Sequence, residues 1–534
     1  MSQLLHNTLF QQAGQTPLAR ALGCGDQWLD YQTVSRQVRS VAAGLQKLGL
    51  ADHERVAIYL PKIPEAVFSF FGTTAAGGVM VPVNPVLKSL QVLHILKDCN
   101  VRVLITNKFR YLQMAQEIHH CHDLLHVILV DADMEEESGA NILGWNAFIT
   151  TPDCWKPSAT IDADMAAILY TSGSTGKPKG VVLSHRNMVS GAKSVASYLG
   201  NKAEDRLLCV LPFSFDYGFS QLTTAFLTGA SCYLLEYLFP KDVIKAIDQQ
   251  QITGLGLVPP LWVQIADLNL PEGSGSSLRY FTNTGGAMPG TTLANLRKQF
   301  KQADPYLMYG LTEAFRSCFL PPSEIDKRPG SMGKAIPNAE ILVINERGEQ
   351  CTAHEPGELV HRGALVSMGY WNDRERTAER FKPAPCGIPE IQTPEIAVWS
   401  GDIVRKDEEG YLYFIGRRDD MIKTSGYRVS STEVEEVAYS SGQVAEVAAI
   451  GIPHTRLGQA VVLVVVSHRL NESLFDEKQF DEKLFLKHCK HQLPSYMLPA
   501  KVILTDILPR NPNGKIDRKQ LARKFAGLFQ ETPA

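Results

Sequence analysis

A chain of 534 residues exceeds what one hydrophobic core usually organises, so at least two domains are expected. Its 53 basic and 56 acidic residues leave a formal charge of −3, which argues against nucleic-acid binding or a basic membrane-binding face, and no apolar run approaches the roughly 18 residues of a membrane span. Ten cysteines are scattered without a Cys-x-x-Cys pair, so reduced thiols in a cytoplasmic protein are expected rather than disulfides or a zinc site.

Residues 34–48 carry apolar positions at helical spacing, 55–60 read as a strand, 66–76 as a helix, and 79–83, 101–106 and 126–130 as further strands. This alternation predicts βα units on a mostly parallel sheet. Two short apolar runs, 165–170 and 181–183, then flank a stretch of four hydroxyls, three glycines and two lysines at 171–180. Thr171, Ser172, Gly173, Ser174, Thr175 and Gly176 lead to Lys177 and Lys179 in what reads as a strand-to-strand turn. Glycines let backbone N–H groups approach an anion, hydroxyls donate to it and a lysine supplies charge, so the loop suits a polyphosphate. It is not a Walker loop, because two residues rather than four separate Gly173 from Gly176 and Pro178 follows the lysine. A flexible surface turn is the other reading.

Asp216, between Phe215 and Tyr217 and just before a helix-like run at 221–227, is either a helix N-terminal acid or a buried carboxylate awaiting a cationic ligand group. The segment 280–287 ends in a glycine turn with Gly285 and Gly286, and 306–313 repeats the arrangement through Tyr309, Thr312 and Glu313. In open α/β sheets ligands bind at the carboxyl ends of strands, so both turns are candidates for one crevice. Between 337 and 413 short strands with Gly and Pro punctuation read as a small β-rich subdomain holding Asp402. The charged, glycine-bearing run 416–428, with Arg417, Asp419, Lys423, Gly426 and Arg428, suggests an interdomain hinge. Beyond it Ser430 and Glu433 make a capping-box pattern, and Lys515 follows the tight turn 511–514, as a mobile point charge or a solvated loop lysine.

Taken in order, these stretches resemble the adenylate-forming superfamily of acyl-CoA synthetases, nonribosomal peptide synthetase adenylation domains and luciferase, over nearly the whole chain. The texture is most similar to stand-alone prolyl-carrier-protein ligases and exosortase-associated AMP-forming acyl-CoA ligases. The resemblance implies an α/β fold: a large N-terminal AMP-binding domain (1–418) of α/β subdomains plus a small β-rich subdomain, and a smaller mobile α+β lid (419–534) carrying the catalytic lysine. It implies two steps: a carboxylate attacks the α-phosphorus of ATP to release pyrophosphate, and a thiol then displaces AMP from the acyl-adenylate.

By the same resemblance, residues 171–180 grip the β- and γ-phosphates with Lys179 as the motif lysine. Gly285, Gly286 and Tyr309 surround adenine, Thr312 contacts the α-phosphate, and Glu313 holds Mg²⁺. Asp402 takes the ribose hydroxyls beside Arg417, and Lys515 bridges the two reacting groups. Asp419 falls at the hinge, with Lys423, Gly426 and Arg428 on the loop facing the phosphopantetheine thiol of coenzyme A or of a separate acyl or peptidyl carrier protein.

Many acyl-CoA synthetases of the superfamily carry histidine where Phe215 falls, whereas amino-acid adenylation domains have a Phe-Asp pair whose aspartate binds the substrate ammonium. Phe215-Asp216 therefore points to an amino acid, since an acid without an amino group is expected to leave Asp216 unpaired at about 1 to 3 kcal/mol. Tyr217, Trp262 and Phe219 suggest a small aromatic-lined pocket suited to a compact substrate such as proline. Arg316, three residues after Glu313, either lines that pocket and favours an acidic group or pairs with a surface carboxylate. An acyl-CoA ligase using free coenzyme A is the alternative, and a catalytically inactive nucleotide-binding homologue the third.

Overall fold

The computed structural model describes residues 4–132, 141–149, 151–171, 178–286, 288, 290–385, 390–417, 421–467, 480–509 and 516–529. Strands Ile142–Gly144, His126–Leu129, Val101–Thr106, Arg55–Tyr59, Val79–Pro82, Met165–Thr171 and Lys179–Ser184 form one sheet in that order, parallel except for its last pair. Parallel neighbours need crossovers, and helices Pro64–Ala75 and Ser89–Asp98 supply two of them. The strand Val79–Pro82 is buried along its whole length, as a sheet covered on both faces requires.

A second sheet runs parallel through Arg20–Cys24, Ser231–Leu234, Arg206–Cys209, Gly254–Leu257, Tyr280–Asn283 and Asp304–Tyr309. It continues antiparallel through Cys318–Leu320, Ser331–Ala335, Leu412–Arg417, Ile396–Lys406, Gly357–Gly363 and Ala339–Ile344. The β-rich segment is thus hydrogen-bonded onto the α/β sheet through one strand. Gly333 lies in that strand at φ +87°, and a Cβ there would overlap the Phe319 carbonyl. Only glycine allows the approach.

Helices Tyr31–Lys47, Pro64–Ala75, His185–Leu199 and Asp216–Thr228 pack with both sheets into a common core. Phe70 and Phe219 meet edge to face at 5.4 Å there, and Phe71 and Phe226 at 5.1 Å. In the carboxy-terminal part, strands Tyr427–Val429, Ile422–Thr424, Gly458–Ser467 and Val444–His454, with Lys501–Leu504 alongside, carry helices Ser431–Ser440 and Glu482–Gln492 on one face and Arg518–Lys524 on the other. Among the described residues no helix is long and apolar enough to cross a membrane.

Gly333→Ala is expected to lower the unfolding free energy by about 3 kcal/mol, from the left-handed backbone plus the carbonyl clash. Urea unfolding checks it. An unchanged midpoint would show that the β-rich segment does not depend on this approach.

Candidate functional site

A crevice of about 1700 Å³ opens at the carboxyl ends of the second sheet's parallel strands. Asn283 closes the strand Tyr280–Asn283, and its amide donates to the Gly286 carbonyl at 3.0 Å, holding the turn whose Gly285 has φ +82°. On the neighbouring strand the Tyr309 hydroxyl donates to Asp402 Oδ2 at 2.5 Å. Asp402 is buried, and its N–H donates to Ser400 Oγ at 3.1 Å. Its backbone lies opposite Arg417 in the antiparallel register. One hydrogen bond thus joins Tyr309, expected at adenine, to Asp402, expected at the ribose.

The second cluster is charged. Lys179 opens the strand Lys179–Ser184, and its ammonium lies 3.1 Å from Glu313 Oε1 and donates to the Tyr370 hydroxyl at 2.6 Å. That hydroxyl donates to the same Glu313 oxygen at 2.7 Å. Glu313 sits with Thr312 on a single helical turn directly after the strand Asp304–Tyr309. The side chains of Glu313 and Lys179 are only 7% and 18% exposed, so the pair is substantially removed from water. Sequence reasoning placed Lys179 on phosphate and Glu313 on metal; the structure adds their direct contact and Tyr370, for which no spacing signal pointed to the site.

Both expected cofactor groups fit this donor set. Glu313 is the kind of hard oxygen donor that Mg²⁺ takes together with phosphate oxygens. The enclosed Thr171 hydroxyl has no partner among the described residues and lines the crevice, as a phosphate donor should.

The acid end of the crevice corrects two expectations. Asp216 opens the helix Asp216–Thr228, and Arg316 Nη1 meets its Oδ2 at 3.1 Å, so the chain itself supplies the cation expected from a substrate. The penalty argued against an acid without an amino group is removed, because the sequence separation of the two residues hid their contact. Arg316 is itself buried, against the Tyr217 ring at 4.9 Å, and is not a surface partner. Trp262 is also misplaced by sequence reasoning. It lies on the helix Pro259–Ala266, fully buried, with its indole N–H donating to the Thr282 carbonyl, and it packs in the core behind the sheet. Phe219 likewise belongs to the inter-sheet core. Phe215 and Tyr217 do line the crevice, and the Tyr217 hydroxyl bonds Thr282 Oγ1.

The carboxy-terminal part closes over this end. Its hairpin of Ile422–Thr424 and Tyr427–Val429 places Tyr427 edge-on to Phe215 at 4.7 Å and brings the Gly426 backbone against the Gly285 turn. A Cβ at Gly426 would fall 2.7 Å from Val258. Lys423 also lines the crevice, its ammonium 4.4 Å over the Phe414 ring, and Arg428 lies on the second hairpin strand. The Glu433 N–H donates to Ser430 Oγ at the helix cap, while the Glu433 carboxylate turns away from the helix to accept from Gln91 Nε2 at 3.0 Å. Burial raises the Glu433 carboxyl from 4.5 to about 7, opposed by the Gln91 bond and assisted by the charge of Glu436. Ser172, Gly173, Ser174, Thr175, Gly176, Asp419 and Lys515 lie outside the described residues.

A strand-end crevice in a large α/β domain, with a smaller α+β domain at its mouth, is the architecture of adenylate-forming enzymes. The chain belongs to the AMP-binding enzyme family, whose profile matches residues 9–371, with the AMP-binding enzyme C-terminal domain matching 433–515. It is 28% identical over 545 residues to surfactin synthase subunit 2 of Bacillus subtilis (strain 168), covering 98% of this chain and 14% of that much longer protein. It superposes on o-succinylbenzoate CoA synthetase from Bacillus subtilis, solved with a product analogue, with a TM-score of 0.80 at 26% identity over 96% of this chain and 97% of the other. For VinN in complex with L-aspartate the TM-score is 0.66 at 28% identity, over 77% and 98%.

Removing one member of a buried ion pair strands the other, so Lys179→Met should destabilise the protein by about 3 kcal/mol in urea unfolding. Adding Glu313→Gln should recover most of that loss; independent, additive losses would contradict the coupling.

Glu433 gives a pH prediction. The folded protein holds this proton between 4.5 and about 7, where an exposed glutamate does not. The associated stability is complete below 4.5 and lost as pH rises through about 7. Between pH 5 and pH 8 the unfolding free energy of the wild type should therefore fall by about 2 kcal/mol more than that of Glu433→Gln. Parallel curves for the two proteins would refute it.

Proposed function

We propose that this protein is an AMP-forming carboxylate–thiol ligase that activates a small amino acid, proline among the candidates, and passes it to the phosphopantetheine thiol of a separate carrier protein in the cytoplasm. The observation that carries the amino-acid reading is the place of Asp216. Asp216 lines the crevice, and its neighbour Phe215 meets Tyr427 of the carboxy-terminal hairpin at 4.7 Å. VinN, the structure solved with L-aspartate, shares this fold over most of the chain.

The physical difficulty of the first step is bringing an anion onto a polyanion. ATP supplies the α-phosphorus electrophile, and Mg²⁺ at Glu313 supplies charge that offsets the leaving pyrophosphate. The chain contributes the rest. Lys179 adds a cation beside Glu313, Thr171 and Thr312 offer hydroxyls along the crevice, and Tyr309, pinned by Asp402, holds a flat wall for a base. By the family resemblance Lys515 would bridge the acid and the α-phosphate, Asp419 would be the hinge between domains 1–418 and 419–534, and Lys423, Gly426 and Arg428 would face the thiol's approach. The pose of the hairpin, with Gly426 against the Gly285 turn, supports the last assignment.

A second reading is an acyl-CoA ligase using free coenzyme A. It is favoured by the Arg316 partner of Asp216, which lets an acid without an amino group bind without stranding a charge, and by the likeness to o-succinylbenzoate CoA synthetase.

ATP–pyrophosphate exchange with Mg²⁺ across amino acids, each beside the same acid lacking its amino group, separates the readings. Exchange confined to an amino acid, reduced at least about 100-fold in Asp216→Ala and in Lys515→Ala, is expected. Exchange confined to acids without an amino group establishes the second reading. Asp419→Pro should spare exchange while blocking transfer to the thiol; equal loss of both would remove the hinge assignment.

A further inference from the structure

Three features of the chain converge on the placement of Arg316, and none of them is what packing alone selects. Phe315 takes a left-handed φ of +55°, which is strained for a bulky residue, and this turns Arg316 inward from the end of the helical turn Thr312–Ala314. Room for the fully buried Phe315 ring exists because residue 191 is glycine, where a Cβ would overlap that ring. The guanidinium is then buried with its Nε lacking a partner among the described residues. A buried ion pair of this kind stabilises a fold little relative to apolar packing.

What the placement achieves is the fixing of one carboxylate. Arg316 Nη1 is shared between Asp216 Oδ2 at 3.1 Å and the Phe315 carbonyl at 3.0 Å, and its guanidinium carbon lies 4.9 Å over the Tyr217 ring. The cation is therefore clamped from three sides. Its side chain is 3% exposed while that of Asp216 is 17% exposed, so of two residues that both line the crevice the carboxylate is the more open.

We propose that Arg316 is the positioning residue for Asp216, balancing its charge and locking its rotamer so that a carboxylate, rather than an ion pair free to rearrange, meets the amino group of the acid. The proposal rests on the amino-acid reading above. Arg316 thereby sets the discrimination between an amino acid and the same acid without its amino group, while leaving the nucleotide end of the crevice alone.

The test is pyrophosphate exchange by the full chain, with L-proline against cyclopentanecarboxylate and L-aspartate against succinate as probe pairs. Wild-type exchange confined to the acids lacking an amino group would overturn the amino-acid reading, and this proposal with it, before any variant is made. With an amino acid as substrate, Arg316→Met should raise its KM about 10- to 100-fold with kcat and the KM for ATP little changed. The kcat/KM for its partner acid, which brings no cation to replace the lost guanidinium, should fall further still, so that discrimination sharpens, and Arg316→Lys, which keeps the charge, should return it towards the wild type. Equal losses for both acids, an altered KM for ATP, or unchanged discrimination in Arg316→Met would each overturn the proposal. If Arg316→Met does not fold, the double variant Asp216→Asn/Arg316→Met, which leaves no buried charge unpaired, takes its place. It should discriminate no better than Asp216→Asn alone, and retained discrimination in the double variant would refute the role.

Discussion

A carboxylate taken out of water must be met by a cation or a hydrogen-bond donor held in place by the rest of the fold, and three such meetings organise this crevice. Glu313, on the turn after a strand of the second sheet, is met by Lys179 from the edge strand of the other sheet's antiparallel pair, with Tyr370 between them. Tyr370 is itself bridged to Val181, so the contact is tied into the backbone on both sides. Asp402, from the β-rich segment, is met by Tyr309 from the α/β part. Asp216 is met by Arg316. Each pair joins segments that are far apart in sequence, so the crevice exists only when the sheets, the β-rich segment and the helix Asp216–Thr228 are all in register.

The carboxy-terminal domain meets the same crevice through small and flat groups. Gly426 can lie against Val258 and the Gly285 turn because neither glycine carries a side chain, and Tyr427 fills the gap between Phe215 on one side and the stacked Tyr496 ring, 3.6 Å away, on the other. A second contact, between Gln91 and Glu433, makes the docked arrangement sensitive to protonation. In the ligase reading, two half-reactions use one crevice, and the hairpin occupies the face from which a thiol would enter.

The elements that sequence reasoning located are those whose pattern is local. Alternating helical and strand periodicity located Arg55–Tyr59, Pro64–Ala75 and Val101–Thr106 to within a residue or two, because each buries its own face in a way its own residues record. The hydroxyl and glycine run read as a strand-to-strand turn, and its flanks are indeed the antiparallel strands Met165–Thr171 and Lys179–Ser184. Aromatic residues near Asp216 misled for the same reason that strands were legible. Trp262 and Phe219 are large and apolar, and that composition serves a core or a pocket wall equally; the helix Pro259–Ala266 turns Trp262 behind the sheet, away from the crevice.

The sequence by itself determined the family, the α/β architecture and the residue types that a polyanion, a carboxylate and a thiol require, since these depend on local periodicity and on motifs a few residues long. Only the tertiary structure decided which charge meets which. That Arg316 meets Asp216, that Tyr370 joins Lys179 and Glu313, and that Glu433 reaches Gln91 are facts of three-dimensional proximity across 57 to 342 positions of chain. Coulomb attraction and desolvation act through space and not along the sequence, so no spacing rule could have carried them.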